Sequence, residues 1–137
     1  MARSVGDFVV KRADGPFAYQ LAVVVDDADQ RVTQVVRGAD LLGSTARQIA
    51  LIRALGLPEP SYAHLPLVVN PSGAKLGKRD GALPLSTLDE ARVRETLRRG
   101  LSILGHDVDD GTPREILASG VSRFDPARIP RGPVVAF

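Results

Sequence analysis

Arg31-Val32-Thr33-Gln34-Val35-Val36-Arg37, then Gly38-Ala39-Asp40, then Ser44-Thr45-Ala46-Arg47-Gln48, is the stretch on which the fold turns. Its first seven residues alternate and are rich in β-branched side chains, which predicts a strand ending at Arg37. Thr45 and Gln48 have the spacing of a capping box and predict a helix opening at Thr45. Ile49, Ile52 and Leu55 supply that helix with an apolar stripe. Gly56 stops it, with Pro58 just beyond. A strand feeding a helix in this way is the repeating unit of an α/β layer with a parallel sheet.

The neighbouring segments continue the alternation. Phe8-Val9-Val10-Lys11-Arg12, closed by Asp14-Gly15-Pro16, reads as a short strand. Residues 18–28 place Leu21, Val24, Val25 and Ala28 on one helical stripe. Val23-Val24-Val25 also suits a strand, and the longer stripe favours the helix. Leu65-Pro66-Leu67-Val68-Val69 reads as a buried strand, and Asn70-Pro71-Ser72-Gly73 as a turn. Residues 74–82 form a Lys/Arg/Gly loop without a period. A second capping box, Thr87 with Glu90, predicts a helix with Ala91, Leu97, Leu101 and Leu104 inward, ending at Gly105. A third, Thr112-Pro113-Arg114-Glu115, opens a short helix ending at Gly120, with proline at its first position. The prolines of the tail, Pro126 onward, predict an extended chain. The expected organisation is an α/β part over residues 1–85 and a small helical subdomain over 86–137.

Composition is that of an ordinary globular chain, 44% hydrophobic and 25% charged. No apolar run approaches the ~20 residues of a membrane span. The first residues lack the apolar core of a signal peptide, and cysteine is absent. The expectation is a cytoplasmic protein with no membrane partner, no disulfide and no cysteine-based zinc site. Eighteen basic and 16 acidic groups leave a net charge of only +2, so a nucleic-acid partner must be argued from where charges cluster.

Three constellations could carry chemistry. Lys75-Leu76-Gly77-Lys78-Arg79 puts two lysines three apart in a glycine-containing loop, which suits a phosphate chain. It is not a Walker A motif, and a solvated basic loop is the plainer alternative. Arg37 ends a strand at the edge where α/β sheets collect ligands, and its fork can grip a carboxylate. The alternative is a structural pair with Asp40 or Asp26. Tyr19 could offer its hydroxyl to a substrate or pack as an ordinary half-buried ring. Asp26-Asp27 has no third carboxylate at a ligand-like spacing. His64 and His106 stand far apart without cysteine, so no metal site is expected.

Taken in order, five blocks resemble one family. They are Phe17-Ala18-Tyr19-Gln20-Leu21-Ala22-Val23-Val24-Val25-Asp26-Asp27, Val35-Val36-Arg37-Gly38-Ala39-Asp40-Leu41-Leu42, Ser44-Thr45-Ala46-Arg47-Gln48, Ala63-His64-Leu65-Pro66-Leu67 and Lys75-Leu76-Gly77-Lys78-Arg79-Asp80-Gly81-Ala82. Together they are similar to the second half of the catalytic domain of glutamyl-tRNA synthetase-like class I aminoacyl-tRNA synthetases. The resemblance runs from about Gly6 to the C-terminus, and the order of the blocks makes it specific. Arg-Gly-Ala-Asp-Leu-Leu, and the 58 residues that follow Arg79, resemble the glutamyl-queuosine tRNA(Asp) synthetase branch more than the full glutamyl-tRNA synthetases.

The resemblance implies the second half of a Rossmann-like catalytic domain plus a small stem-contact-like helical subdomain. It implies activation of glutamate by ATP with Mg²⁺, and transfer to a hydroxyl of queuosine in tRNA(Asp). Lys75–Arg79 matches the Lys-Met-Ser-Lys-Ser signature of the family. Residues Lys75, Leu76, Gly77, Lys78 and Arg79 are then the ATP loop, and Lys78 the catalytic residue. Tyr19 and Arg37 fall on the glutamate-holding positions. Gly77 stands where the family usually has serine. The His-Ile-Gly-His signature and the zinc site of the branch have no counterpart here, so the implied partners include the missing N-terminal half as a separate chain. A non-catalytic remnant that binds tRNA or a protein, and a fragment of a true glutamyl-tRNA synthetase, remain the alternatives.

Overall fold

The structure is a computed structural model that describes residues 6–76 and 88–135. It divides into two compact units, Met1–His64 and Leu65–Phe137. The boundary expected at residues 85 and 86 lies outside the described residues, as does Thr87.

The first unit is a helix, strand, helix, strand sequence. Helix α1 (Tyr19–Asp29) buries Val24 from its apolar stripe and leaves Val25 exposed. It closes with the Val32 N–H donating to the Asp27 carbonyl, with Arg31 left-handed at φ 57°. Strand β1 (Gln34–Gly38) follows, then a 3₁₀ turn (Ala39–Leu41) and helix α2 (Leu42–Ala54). Helix α2 buries Thr45, Gln48 and Ile52 and packs on α1. Its end is the predicted one. Gly56 takes φ +65°, and the Leu57 N–H reaches back to the Ile52 carbonyl. Strand β2 (Ser61–Leu65) pairs with β1, and the Ser61 N–H donates to the Thr33 carbonyl at 3.0 Å where the two strands begin.

Four expectations change here. The segment Phe8–Arg12 makes only one antiparallel bridge, Lys11 to Phe17, because Val9 and Val10 find no sheet and stay exposed. Helix α2 opens three residues before Thr45, so Thr45 is an interior residue and not a cap. The strand expected at Leu65–Val69 is displaced. Pro66 cannot donate to a ladder, so β2 stops at Leu65 and a new pair of residues begins at Val68. The described strands form two pairs rather than one sheet.

In the second unit, β3 (Val68–Val69) runs into a turn held by one carboxamide. The Asn70 Oδ1 accepts from the Ser72 N–H, the Ser72 hydroxyl and the Ala74 N–H. Gly73 completes the turn at φ +81°, and Lys75 comes back opposite Val69. Strand β4 (Val134–Val135) lies parallel to β3, so the proline-rich tail returns as a strand. Helix α3 (Glu90–Ile103) is capped by Asp89, whose carboxylate accepts from the Arg92 N–H. Ala91, expected inward, is exposed. Helix α4 (Pro113–Ser122) carries the predicted capping box of Thr112 and Glu115, and the Glu115 carboxylate, accepting from the Thr112 N–H and then from its hydroxyl, is held below its ordinary range. It runs past Gly120, which is buried against Leu101 of α3. A methyl group at Gly120 would crowd that side chain. Helix packing, rather than a helix stop, explains this glycine.

His106 locks the connection between the two helices. It is 1% exposed, stacks on Phe124, and accepts from the Asp125 N–H through Nε2 at 2.8 Å. Its Nδ1 lies 2.9 Å from the Leu104 carbonyl, so Nδ1 carries the proton. Gly105, beside it, has φ +81°, and a Cβ there would collide with the Arg128 carbonyl. Replacing Gly105 by alanine adds left-handed strain to a backbone clash. The loss expected in urea denaturation is about 2 kcal/mol or more. A variant as stable as the parent would show that this junction yields freely.

Candidate functional site

Arg37 is the centre of the site. It lies one residue from the end of β1, half-buried. Its Nη2 donates to the Thr45 hydroxyl at 2.8 Å, and its Nε donates to the His64 Nε2 at 3.3 Å. The guanidinium also lies over the Tyr62 ring, 5.1 Å from its centroid. Thr45 Oγ1 stands 3.3 Å from the Leu41 carbonyl and 3.1 Å from His64 Nε2, so its single hydrogen serves one or the other. His64 and Tyr62 stack with their rings 12° apart. Among the described residues the hydrogen-bond and ring partners of Arg37 are neutral. The contacts described for Arg37 join it to no carboxylate, neither Asp40 nor Asp26.

The electrostatics follow from that. Burial, and then the nearby Arg37 charge, push the His64 pKa below its ordinary 6.5. Burial also raises the Tyr62 hydroxyl; Arg37 opposes the rise, and Asp27 and Glu59 add to it. His64 is therefore a neutral acceptor at Nε2.

Tyr19 reaches this region through its neighbour. It is the first residue of α1 and 54% exposed. Gln20 Nε2 donates to the Ser44 hydroxyl at 3.0 Å, and Gln48 Nε2 donates to Gln20 Oε1 at 2.9 Å. Gln48 is 1% exposed, so this chain of amides lies in the α1–α2 core. Ser44 fixes the residue after Tyr19, and the very next residue, Thr45, fixes Arg37. Thr45, His64 and Tyr62 were not singled out as site residues from sequence. The signal for Thr45 and Gln48 was two polar residues one turn apart on what had to be the inner face of α2.

Lys75 is exposed and Leu76 half-buried where the chain returns from the Asn70 turn beside β3, the Leu76 N–H donating to the Val68 carbonyl at 3.0 Å. Gly77, Lys78 and Arg79 lie outside the described residues. In the second unit, Arg94, Arg98 and Arg99 of α3 line an open cleft together with three acids, Glu95, Asp107 and Asp110. Arg94 Nε is buried without a hydrogen-bond partner among the described residues, as is Arg47 Nε in the first unit. Among the described residues no group of three His, Cys, Asp or Glu is placed to hold a metal, and no helix is long and apolar enough to cross a membrane.

A sequence profile described as "tRNA synthetases class I (E and Q), catalytic domain" matches residues 1–125. The glutamyl-Q tRNA(Asp) synthetase of Chromobacterium violaceum is 51% identical over 136 residues, 98% of this chain and 45% of that protein. The protein of the same name from Leptothrix cholodnii is 56% identical over 120 residues, 87% of this chain and 39% of that protein. The chain thus spans less than half the length of these relatives. Among solved structures, the glutamate-tRNA synthetase of Elizabethkingia anophelis superposes with a TM-score of 0.67 at 24% identity, over 96% of this chain and 30% of that one. The fold is α/β, a piece of the class I synthetase fold.

The depressed His64 fixes a pH dependence. Between its folded pKa and 6.5 the unfolded chain binds the extra proton and the folded chain does not. Stability is therefore fully present above 6.5 and declines as pH falls toward the folded value. His64→Gln, which keeps an acceptor but cannot titrate, should flatten that part of the stability profile in urea titrations. An acid-side decline identical in both proteins would remove His64 as its source.

Proposed function

The chain belongs to the class I tRNA synthetase catalytic-domain family of the glutamate and glutamine type, and on that premise we propose that it is the glutamate-holding part of an enzyme that activates glutamate with ATP and transfers it to queuosine of tRNA(Asp). The observation that carries this reading is the half-buried guanidinium of Arg37, whose partners among the described residues are neutral. A half-buried cation whose direct contacts are all neutral keeps part of its charge uncompensated, and a substrate carboxylate would supply the pairing. Tyr19 would orient the same substrate through its hydroxyl. The names and 51% identity of relatives such as the Chromobacterium protein support the acceptor.

In the proposed reaction a glutamate carboxylate oxygen attacks the α-phosphorus of ATP. The bond to the bridging oxygen breaks, and pyrophosphate leaves as its Mg²⁺ complex. A hydroxyl of the tRNA then attacks the glutamyl carbonyl carbon of the adenylate, the carbonyl–phosphate oxygen bond breaks, and AMP leaves as the hydroxyl gives up its proton. Lys78, in the Lys75–Arg79 segment, would offset charge building on the leaving pyrophosphate, an electrostatic role of the kind that often dominates catalysis. Leu76, Gly77 and Arg79 would complete that ATP loop. The chain spans less than half of these relatives, and on this reading the ATP-adenine site would lie in the part it does not match.

The test is glutamate-dependent ATP–pyrophosphate exchange with the chain joined to the first half of a related glutamyl-Q tRNA(Asp) synthetase. Lys78→Ala should lower kcat by about 10²–10³-fold, the scale for removing one such donor. The KM for ATP should move less, and Lys75→Ala should cost less than Lys78→Ala. Arg37→Lys should raise the KM for glutamate strongly, because the charge stays and the planar fork goes. Equal losses in the two lysine variants, or an unchanged glutamate KM in Arg37→Lys, would sink the assignment.

A second reading, RNA binding without catalysis, is favoured by the arginines of the α3 cleft. On either reading these would meet tRNA phosphates. Each of Arg98→Gln and Arg99→Gln should then lower the slope of log affinity against log salt by about one for an RNA stem-loop. Unchanged slopes would remove the cleft from the RNA interface. RNA binding with no exchange in the joined protein would favour the second reading.

A further inference from the structure

Arg37 has five N–H donors in one plane, and two are already committed. Nη2 spends one on Thr45 and Nε spends its only one on His64, which leaves the Nη1–Nη2 edge for a ligand. We propose that Thr45 and His64 are positioning residues for Arg37, the hydroxyl and the unprotonated Nε2 together aiming the Nη1–Nη2 edge at the substrate carboxylate, and that protonation of His64 releases it. The second half of this statement rests on the glutamate reading above; the first does not.

The geometry carries the inference. An arginine side chain has about 2 kcal/mol of rotamer entropy to lose. Two bonds from different elements remove much of that freedom before any ligand arrives. Thr45 is buried at 9% exposure inside α2, and its oxygen is also within reach of the Leu41 carbonyl one turn earlier. The hydroxyl position is therefore set by the helix and not by solvent. His64 sits on β2, its ring stacked on Tyr62, so its Nε2 is equally fixed.

The acceptor works only while Nε2 carries no proton. Once protonated it must donate, and Thr45 Oγ1 can accept that hydrogen. The Arg37 Nε–H then loses its acceptor and faces a second positive charge. The groups around His64 sharpen this response. Arg37 of β1 is the charge acting directly on it, α2 contributes the uncharged Thr45, and Tyr62 of β2 keeps its proton. Asp27 of α1 and Glu59 act on Tyr62 rather than on His64. Burial and Arg37 both lower the His64 pKa, so the acceptor state prevails at neutral pH.

The test uses the 137-residue chain in solution by nuclear magnetic resonance, with glutamate as the probe. The Arg37 Nε–H should give a protected resonance at neutral pH, with His64 as the Nδ1–H tautomer. That protection should vanish as pH falls through the His64 titration. Thr45→Val should weaken it at every pH, and Thr45→Ser should restore it. His64→Gln should hold it constant across the same range. Glutamate should shift the Arg37 resonance saturably, with affinity falling about tenfold or more on His64 protonation, the loss expected for one charge-assisted hydrogen bond. In His64→Gln that fall should be absent. Identical pH profiles for the parent and His64→Gln, or an Arg37 Nε–H indifferent to Thr45→Val, would overturn the positioning role. Glutamate that shifts nothing at any pH, with the Arg37–His64 coupling intact, would instead overturn the substrate reading and leave the positioning in place.

Discussion

A guanidinium whose partners among the described residues are neutral is the constraint around which the first unit is arranged. Arg37 at the end of β1 must find an acceptor on α2 and another on β2, and the chain between those elements is shaped to supply both. Helix α2 begins at Leu42, early enough that Thr45 lies a full turn inside it with the Leu41 carbonyl below its hydroxyl. A threonine bonding back one turn is slightly unfavourable in a helix. Here it delivers an oxygen to Arg37, and an aliphatic residue of the same shape could not. Strand β2 places Tyr62 and His64 two apart, hence on one face, so the ring under the guanidinium and the ring accepting from it come from the same strand.

The amide chain of Gln20, Gln48 and Ser44 solves a different problem in the same core. A buried glutamine costs stability unless its amide finds partners. Gln48 finds Gln20, and Gln20 finds Ser44, so a pairing of α1 and α2 shifted by one residue would strand the amides. Apolar residues such as Val24 and Ile52 supply the burial, but they tolerate sliding; hydrogen-bonded amides do not. The register they enforce puts Tyr19 at the exposed start of α1 and Thr45 beneath Arg37. The price in desolvation is met where specificity of placement matters most.

Local rules made part of this legible. Gly56 and Gly105 announced helix ends and adopt positive φ, and Thr112-Pro113-Arg114-Glu115 announced a capping box that forms in full. Residues 18–28, ambiguous by pattern, are helical because packing on α2 rewards one stripe. Long-range pairing was less legible. Ser61–Leu65 looks unremarkable as a strand because two of its five residues are Ser and Ala, and its partner is β1, far back in the sequence. Phe8–Arg12 has the better composition, yet pairs only at Lys11. Val134–Val135 becomes a strand solely because Val68–Val69 is there to receive it. For the site, Arg37 and Tyr19 were drawn from a family likeness. Thr45 was mistaken for a cap because the same residue type serves both purposes, and His64 because a lone histidine is usually structural.

The two units treat their arginines in opposite ways, and the difference follows from what each could bind. A small carboxylate offers two oxygens and little else, so its affinity depends on geometry arranged beforehand. Arg37 is accordingly tied by two hydrogen bonds and a ring. A nucleic-acid backbone offers many phosphates at regular spacing, and binding draws on summed charge and counterion release rather than on one aimed fork. Arg98 and Arg99 of α3 sit exposed beside a cleft with no carboxylate bonded to them among the described residues, free to follow a ligand. Their own helix relieves part of the charge, since Glu90 stands four residues before Arg94 and Glu95 four before Arg99, the order that favours an acid–base pair. What the helix leaves over is the buried Nε of Arg94, which finds no hydrogen-bond partner among the described residues and is a donor an anionic ligand could use.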